Sequence, residues 1–421
     1  MEKKNNVTPS LYNTCTLANG LRVIHRHTDS AVVYCGYAVN AGTRDELPGE
    51  EGMAHFCEHL TFKGTARRTP VQIMNTLERV GGDLNAFTNK EDTVFHAAVL
   101  AEHTPRAVDL LTDIVFASTY PQAEMDKEVE VVCDEIEMNN DSPADLIYDE
   151  MENLLFAHHA LGHNILGEAQ QLHTYTTAQI RTFVDRLYRP DNAIFFAYGD
   201  TSFARLVAAL CRAFGTKVQS EGPAKPIFCP PRVAPGAYTP QQVVKKMGTH
   251  QCHVMLANRS YAVGHERRIA LYLLNNLLGG PAMSSRLNLS LRERHALVYS
   301  VESFMTSYGD TGVWGIYYGC DAHDTRRCMH LALKEIERLT AKPLSDAALN
   351  AAKRQIKGQI GVASDSREAF ALDMAKAYLH YGVLKDTRRL FEQIDALTPT
   401  DLLVAARDII APQHLTHLML K

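Results

Sequence analysis

The chain has 421 residues, 46% of them hydrophobic and 22% charged, with a formal net charge of −5 at pH 7. This is the make-up of a soluble globular protein of two or three domains. Its slight acidity argues against nucleic-acid binding, which usually shows as a basic domain or stripe.

Nine scattered cysteines without a C-x-x-C read as reduced thiols and not as a disulfide framework. The N-terminal MEKKNNVTPSLYNT lacks the apolar stretch of a secretory leader. No apolar run is longer than residues 193–198, far too short for a bilayer, so a cytoplasmic protein without membrane contact is expected.

In chain order, residues 17–25 and 31–40 read as strands, rich in Val, Tyr and Ile and separated by a polar break at 26–30. The stretch 52–65, GMAHFCEHLTFKGT, reads as a helix bounded by glycines, and Thr69-Pro70 opens an amphipathic helix over 71–80. Residues 83–88 and 93–100 form a strand pair, followed by helical patterns at 104–118, 121–139, 144–156 and 177–188, a strand at 192–198 and a helix at 203–214. Six of the 17 prolines fall between 222 and 240, which marks a linker between a domain over 1–221 and another over 241–421. Beyond it the pattern restarts with strands at 242–247 and 252–258, a helix at 266–278, and strands at 298–307 and 312–320. Helices at 325–339, 346–360, 367–381 and 399–410 and a strand at 415–420 complete it. The order β, β, α, β, β, helices, β occurs twice, so two homologous α+β domains are expected, each a mainly antiparallel sheet packed with helices.

The chemistry sits in the glycine-bounded helix. His55 and His59 are i and i+4, on one face, and Glu58, one residue before His59, points its carboxylate to the same side. Two imidazoles so spaced reach one Zn²⁺ at about 2.0–2.1 Å, with a carboxylate beside the open position to take a proton. The second copy has no such motif on its first helix, HERRIALYLLNNLLG, so one zinc per chain is expected. A catalytic zinc takes three protein ligands, and the acidic helix PQAEMDKEVEVVCDEIEMNN is where the third is sought. Periodicity leaves Glu128, Glu130, Asp134, Glu135 and Glu137 open. It places Glu128 and Glu135 two turns apart on one face and the other three on another. His158, His159 and His163 look like metal ligands by residue type alone, and Cys57, at i+2 from His55, reads as a packed neighbour.

The motif with its flanks, Asn19-Gly20-Leu21, Gly42-Thr43-Arg44-Asp45-Glu46 and Phe62-Lys63-Gly64-Thr65, resembles the pitrilysin family of zinc peptidases. That family includes insulin-degrading enzyme and the β subunit of the mitochondrial processing peptidase, and the likeness is to its short, two-domain members. The resemblance implies Glu135, 76 residues after His59, as the third ligand and Glu128 as a residue that orients the site. It implies that Asn85 and Ala86, in Leu84-Asn85-Ala86-Phe87-Thr88, contact substrate backbone along an edge strand. It also implies that Arg292 and Tyr299, in LNLSLRERHALVYSV, donate to a substrate carbonyl or developing oxyanion from the second domain. His295-Ala296 departs from the Lys-Gly type of pair that members often carry there.

Motif and resemblance together set the expectation of a zinc endopeptidase with Glu58 as general base, acting on peptides or unfolded segments in a chamber. Two rivals are a non-catalytic scaffold or binding subunit and a subunit dependent on a different, metal-less partner in a heteromeric processing peptidase. The complete His55, Glu58, His59 and Glu135 set argues against the first. Arg292 and Tyr299 on the same chain favour a homodimer over the second.

A homodimer in which Arg292 and Tyr299 act in trans is testable by subunit exchange. Mixing Glu58→Gln with Arg292→Ala/Tyr299→Phe makes about half the dimers mixed, each with one intact site, so about a quarter of wild-type activity returns. Demonstrated exchange with no recovery places the site in a single chain.

Overall fold

A computed structural model describes residues 11–421; most of the segment read above for a leader, residues 1–10, lies outside them. The strands are β1 (Asn13–Leu17), β2 (Arg22–His27), β3 (Val32–Val39), β4 (Asp83–Thr88), β5 (Thr93–Leu100), β6 (Ala193–Gly199), β7 (Val218–Glu221), β8 (Gln242–Lys245), β9 (Gln251–Ser260), β10 (Val298–Ser307), β11 (Gly312–Asp321) and β12 (Thr416–Leu420). The helices of the first half are α1 (Met53–Thr61), α2 (Pro70–Glu78), α3 (Thr104–Ala117), α4 (Gln122–Asn140), α5 (Pro143–Leu155), α6 (Ala169–Leu172), α7 (Thr177–Leu187) and α8 (Phe203–Phe214). Those of the second are α9 (Arg268–Gly279), α10 (Thr325–Ala341), α11 (Asp346–Ala363), α12 (Arg367–Tyr381), α13 (Thr387–Ala396) and α14 (Pro399–Ala405).

Two sheets result. The first has the order β4-β5-β3-β6-β2-β1-β7 and the second β10-β11-β9-β12-β8. Each is antiparallel except for one pair, β2 with β6 and β8 with β12. The five strands β2 to β6 therefore hold the same places as β8 to β12, and the internal duplication is visible strand by strand. In both copies the first hairpin strand after the first helix, β4 or β10, stands at a sheet edge.

The N-terminal region differs from the expected single strand over 17–25. Asn19-Gly20 turns the chain between β1 and β2, with Gly20 at φ +89°, so a hairpin replaces one long strand. The polar sequence 387–396 forms α13, capped by Asp386, whose carboxylate accepts the N–H groups of Arg388 and Arg389.

The compact units also differ from two contiguous segments. One holds the described chain up to Cys133, Ile165–Arg232 and Ser364–Lys385; the other holds Asp134–Asn164, Val233–Ala363 and Asp386–Lys421. In the first unit α3 covers one face of the sheet and α12 the other, where Phe370, Ala371, Met374, Ala375 and Tyr378 meet Ile24, Ala38, Val94, Ile194 and Phe196. The period of the α12 residues is that of one helix face, and burying Phe370 and Met374 contributes about 1.5–3 kcal/mol each. Fully buried Arg22 donates to the carbonyls of Tyr378 and Leu379, both at 2.8 Å, satisfying the last turn of α12. In the second unit α9, α10, α11, α13 and α14 pack over the sheet face carrying Trp314 and Ile316. Leu146, Ile147, Met151 and Leu155 of α5 cover the opposite one, against Met255, Ala257 and Leu418. No helix among the described residues is long and apolar enough to cross a membrane, and all nine cysteines are free thiols.

α1 is a short helix with an unusual start. Its N-cap is Gly52, at φ +85°, where a Cβ would come within 2.7 Å of Gly167 Cα; only glycine fits both the dihedral and the space. A glycine offers no capping side chain, and the buried carboxylate of Glu46 takes over that task. Its Oε2 accepts the Gly52 N–H at 3.1 Å and its Oε1 the Ala54 N–H at 2.8 Å. Glu46→Ala should therefore cost about 2 kcal/mol of stability and loosen α1, while Glu46→Gln, which keeps one acceptor, costs less. Denaturant titration of the metal-free proteins checks this; wild-type stability for Glu46→Ala removes Glu46 from the account of α1.

Candidate metal centre

The i, i+4 spacing on α1 sets the His55 and His59 rings 4.6 Å apart between centroids. α4 is one continuous helix, and its Glu135 brings a carboxylate oxygen to a ring nitrogen of each histidine, the three atoms lying within 4.8 Å of one another. Glu130, Asp134 and Glu137, on the other face of α4, are exposed. Two imidazoles and one carboxylate are the donor set of a catalytic zinc site that leaves one coordination position open, so the residues present fit the ion. Burial, and after it the neighbouring His59, pushes His55 down to about 3 and keeps its imidazole in the neutral form that metal binding needs.

Glu128, two turns before Glu135, meets His59 from behind. Its Oε1 lies 2.9 Å from His59 Nδ1, and its Oε2 lies 2.5 Å from Lys63 Nζ. Burial alone would raise the Glu128 carboxyl, but His59 and Lys63 outweigh it and hold the group below the usual carboxylate value. An ionised Glu128 accepts the Nδ1 proton of His59, which puts the lone pair of that ring on Nε2, the atom able to ligate a metal.

Glu58 is buried beside the pair, and its Oε2 accepts the hydroxyl of Thr88 at 2.6 Å. Thr88 closes β4, the edge strand, so the carboxylate on the metal helix and the sheet edge are joined directly. Asn85 and Ala86 lie three and two residues before it. Asn85 is exposed, and its Oδ1 accepts the Ala86 N–H at 2.8 Å, so the side chain covers an amide that the strand would otherwise present.

Arg292 and Tyr299 belong to the second unit. Arg292 sits in a π-helical turn, Asn288–Glu293, and its Cζ lies 5.8 Å from the centroid of the Tyr299 ring on β10. Tyr299 is 86% exposed. The segment joining them is tightly tied: His295 Nδ1 donates to Ser290 O at 2.6 Å and the Ala296 N–H to Arg292 O at 2.8 Å. Ala296 itself has φ +49°, the left-handed conformation that a glycine adopts more readily.

Among the decoys, Cys57 is fully buried in the core, and His159 bridges Val233 O and the Leu161 N–H. A second donor group, Asp321, His323 and Asp324, precedes α10 with Asp321 and His323 exposed. Sequence reading passed over Glu46, Lys63 and Thr88 as positioning residues. Glu46 and Lys63 carried a signal in the motif's flanks, a carboxylate ahead of an uncapped glycine and a cation one turn after His59. Thr88 carried none.

Comparison with known proteins adds to this geometry. Residues 22–169 match the family model described as insulinase, peptidase family M16, and residues 174–356 match the M16 inactive domain. The first match contains the motif and the second does not. An uncharacterized zinc protease of Bacillus subtilis, YmxG, is 32% identical over 385 residues, covering 91% of each chain. One from Streptomyces coelicolor is 31% identical over 94% of this chain and 86% of its own. The β subunit of the mitochondrial processing peptidase of Saccharomyces cerevisiae is 29% identical over 93% and 87%. The crystal structure of a protease from Helicobacter pylori superposes with a TM-score of 0.89 at 22% identity, covering 97% of this chain and 99% of that one, which shows a shared fold. By motif, fold and relatives alike, the chain belongs to the insulinase family of peptidases, M16.

Proposed function

We propose that the protein is a zinc-dependent endopeptidase acting on extended or unfolded peptide segments. The observation that carries this reading is the meeting of His55, His59 and Glu135 donor atoms within 4.8 Å, with Glu58 buried alongside. His55, His59 and Glu135 would hold the ion, with Glu128 orienting His59. A bound zinc supplies Lewis acidity, which acidifies water towards a pKa of about 7 and polarises a carbonyl. Glu58 takes the proton of the attacking water on its carboxylate and passes it to the leaving amine. The substrate backbone lies along β4, where its groups replace the Asn85 side chain at the Ala86 amide and extend the sheet by one strand. Arg292 and Tyr299 donate hydrogen bonds to the carbonyl oxygen as it gains charge, and a second copy of the chain supplies them. The exposure of Tyr299 supports a role outside its own core.

Two substitutions separate the roles. Glu58→Gln keeps size and helix propensity, so zinc stays bound while turnover of a quenched peptide falls by about 10²–10⁴. Near-wild-type turnover rules out Glu58 as the base. Glu135→Gln removes an anionic ligand, and elemental analysis should find the metal lost. Should Glu130→Gln or Glu137→Gln strip it instead, the ligand lies on the other face of α4.

A further inference from the structure

The hydroxyl of Thr88 has one proton, and the surroundings determine where it goes. Its acceptor is Glu58 Oε2 at 2.6 Å, the length of a hydrogen bond from a hydroxyl to an ionised carboxylate. Its other close neighbour, Thr93 Oγ1 at 3.4 Å, gives its own proton to Ala41 O at 2.9 Å. Both Thr88 and Glu58 are 9% exposed, so water competes little for either.

The donor is also fixed in space. The four residues after β4 close a turn in which the Asn89 N–H reaches Asp92 O at 2.8 Å and Asn89 Nδ2 reaches Asp92 Oδ1 at 2.7 Å. The carbonyls of Asn89 and Lys90 accept the N–H groups of Thr43 and Arg44 at 3.2 and 2.8 Å. The Asp92 carboxylate meets His380 at 3.1 Å and Lys376 at 3.3 Å, both on α12. Burial raises the Asp92 carboxyl, but these partners and Asn89 bring it down to about 2, so it stays ionised as an anchor. Thr88 is thus held from its C-terminal side by a turn that two other elements, residues 43–44 and α12, fix in place, while the N-terminal part of β4 remains an open edge.

We propose that Thr88 is a positioning residue that holds the Glu58 carboxylate in its proton-transfer orientation and ties it to the strand on which the peptide lies. The inference rests on the peptidase reading above. A peptide paired along β4 and the base that serves it are then registered to one rigid strand. Small displacements of α1 relative to the sheet leave the carboxylate with the substrate, because the hydroxyl holds it there.

Thr88→Val keeps the β-branched shape and removes the donor, while Thr88→Ser keeps the donor; Thr88→Ala replaces the Val variant if that protein does not fold. The expected result for Val is a fall in kcat of about ten- to hundredfold, with KM and zinc content within about twofold of wild type. Ser restores kcat to within a few-fold. In crystals of the zinc-loaded Val variant, the Glu58 carboxylate leaves its place near residue 88. Wild-type kcat for Val, equal losses for Val and Ser, or an unmoved Glu58 carboxylate in the Val crystals each overturns the proposal. If the wild-type protein cleaves no peptide, the peptidase reading falls, and the crystal comparison still decides whether Thr88 holds Glu58.

Discussion

Burying a nine-residue helix that carries two imidazoles and a carboxylate is the constraint on which the rest of the first unit depends. Polar groups taken from water require partners. Each partner comes from a different part of the chain: Glu46 for the first amides of α1, Glu128 for His59, and Thr88 for Glu58. Those residues must in turn be fixed, so the demand passes outward. Lys63 neutralises Glu128, and Asp92 with His380 and Lys376 anchors the turn after Thr88. The catalytic group proposed here is therefore the centre of a polar network that replaces part of the hydrophobic core.

How much was legible in the sequence depends on how local each signal is. The strands 83–88 and 93–100 are read with their observed bounds because Gly81-Gly82 precedes the pair and a polar turn divides it. The common face of His55 and His59 is a property of one helix. That Glu135 stands with them, and Glu130 does not, depends on how α4 lies against α1, which periodicity leaves open and family resemblance supplies. The hairpin at Asn19-Gly20 is hidden because β-formers run on both sides of it. Glu46 and Thr88 act through partners 6 to 30 residues away whose placement no periodicity encodes.

The prolines at 222–240 mark where the covalent chain passes from one sheet to the next, and in that sense composition is informative. Composition does not say which sheet a helix will cover. α5 has a marked apolar face wherever it packs, whereas the sequence of α12 shows little asymmetry and its buried face emerges only against the sheet. Motif-bearing residues behave similarly: the second copy keeps the strand order of the first and lacks its chemistry, so architecture and site separate cleanly within one chain.

The position of α12 has a consequence for how the first unit comes into being. Its sheet is finished by residue 221, yet the helix that covers one face, with Arg22 bonded to its last turn, begins at Arg367. A chain emerging from the ribosome holds that apolar face, including Ile24, Ile194 and Phe196, without its cover for well over a hundred residues of synthesis. At about 5–20 residues per second this exposure lasts many seconds, long enough for a holding chaperone to matter. The unit that carries His55 and His59 is thus the first to be made and among the last to be completed.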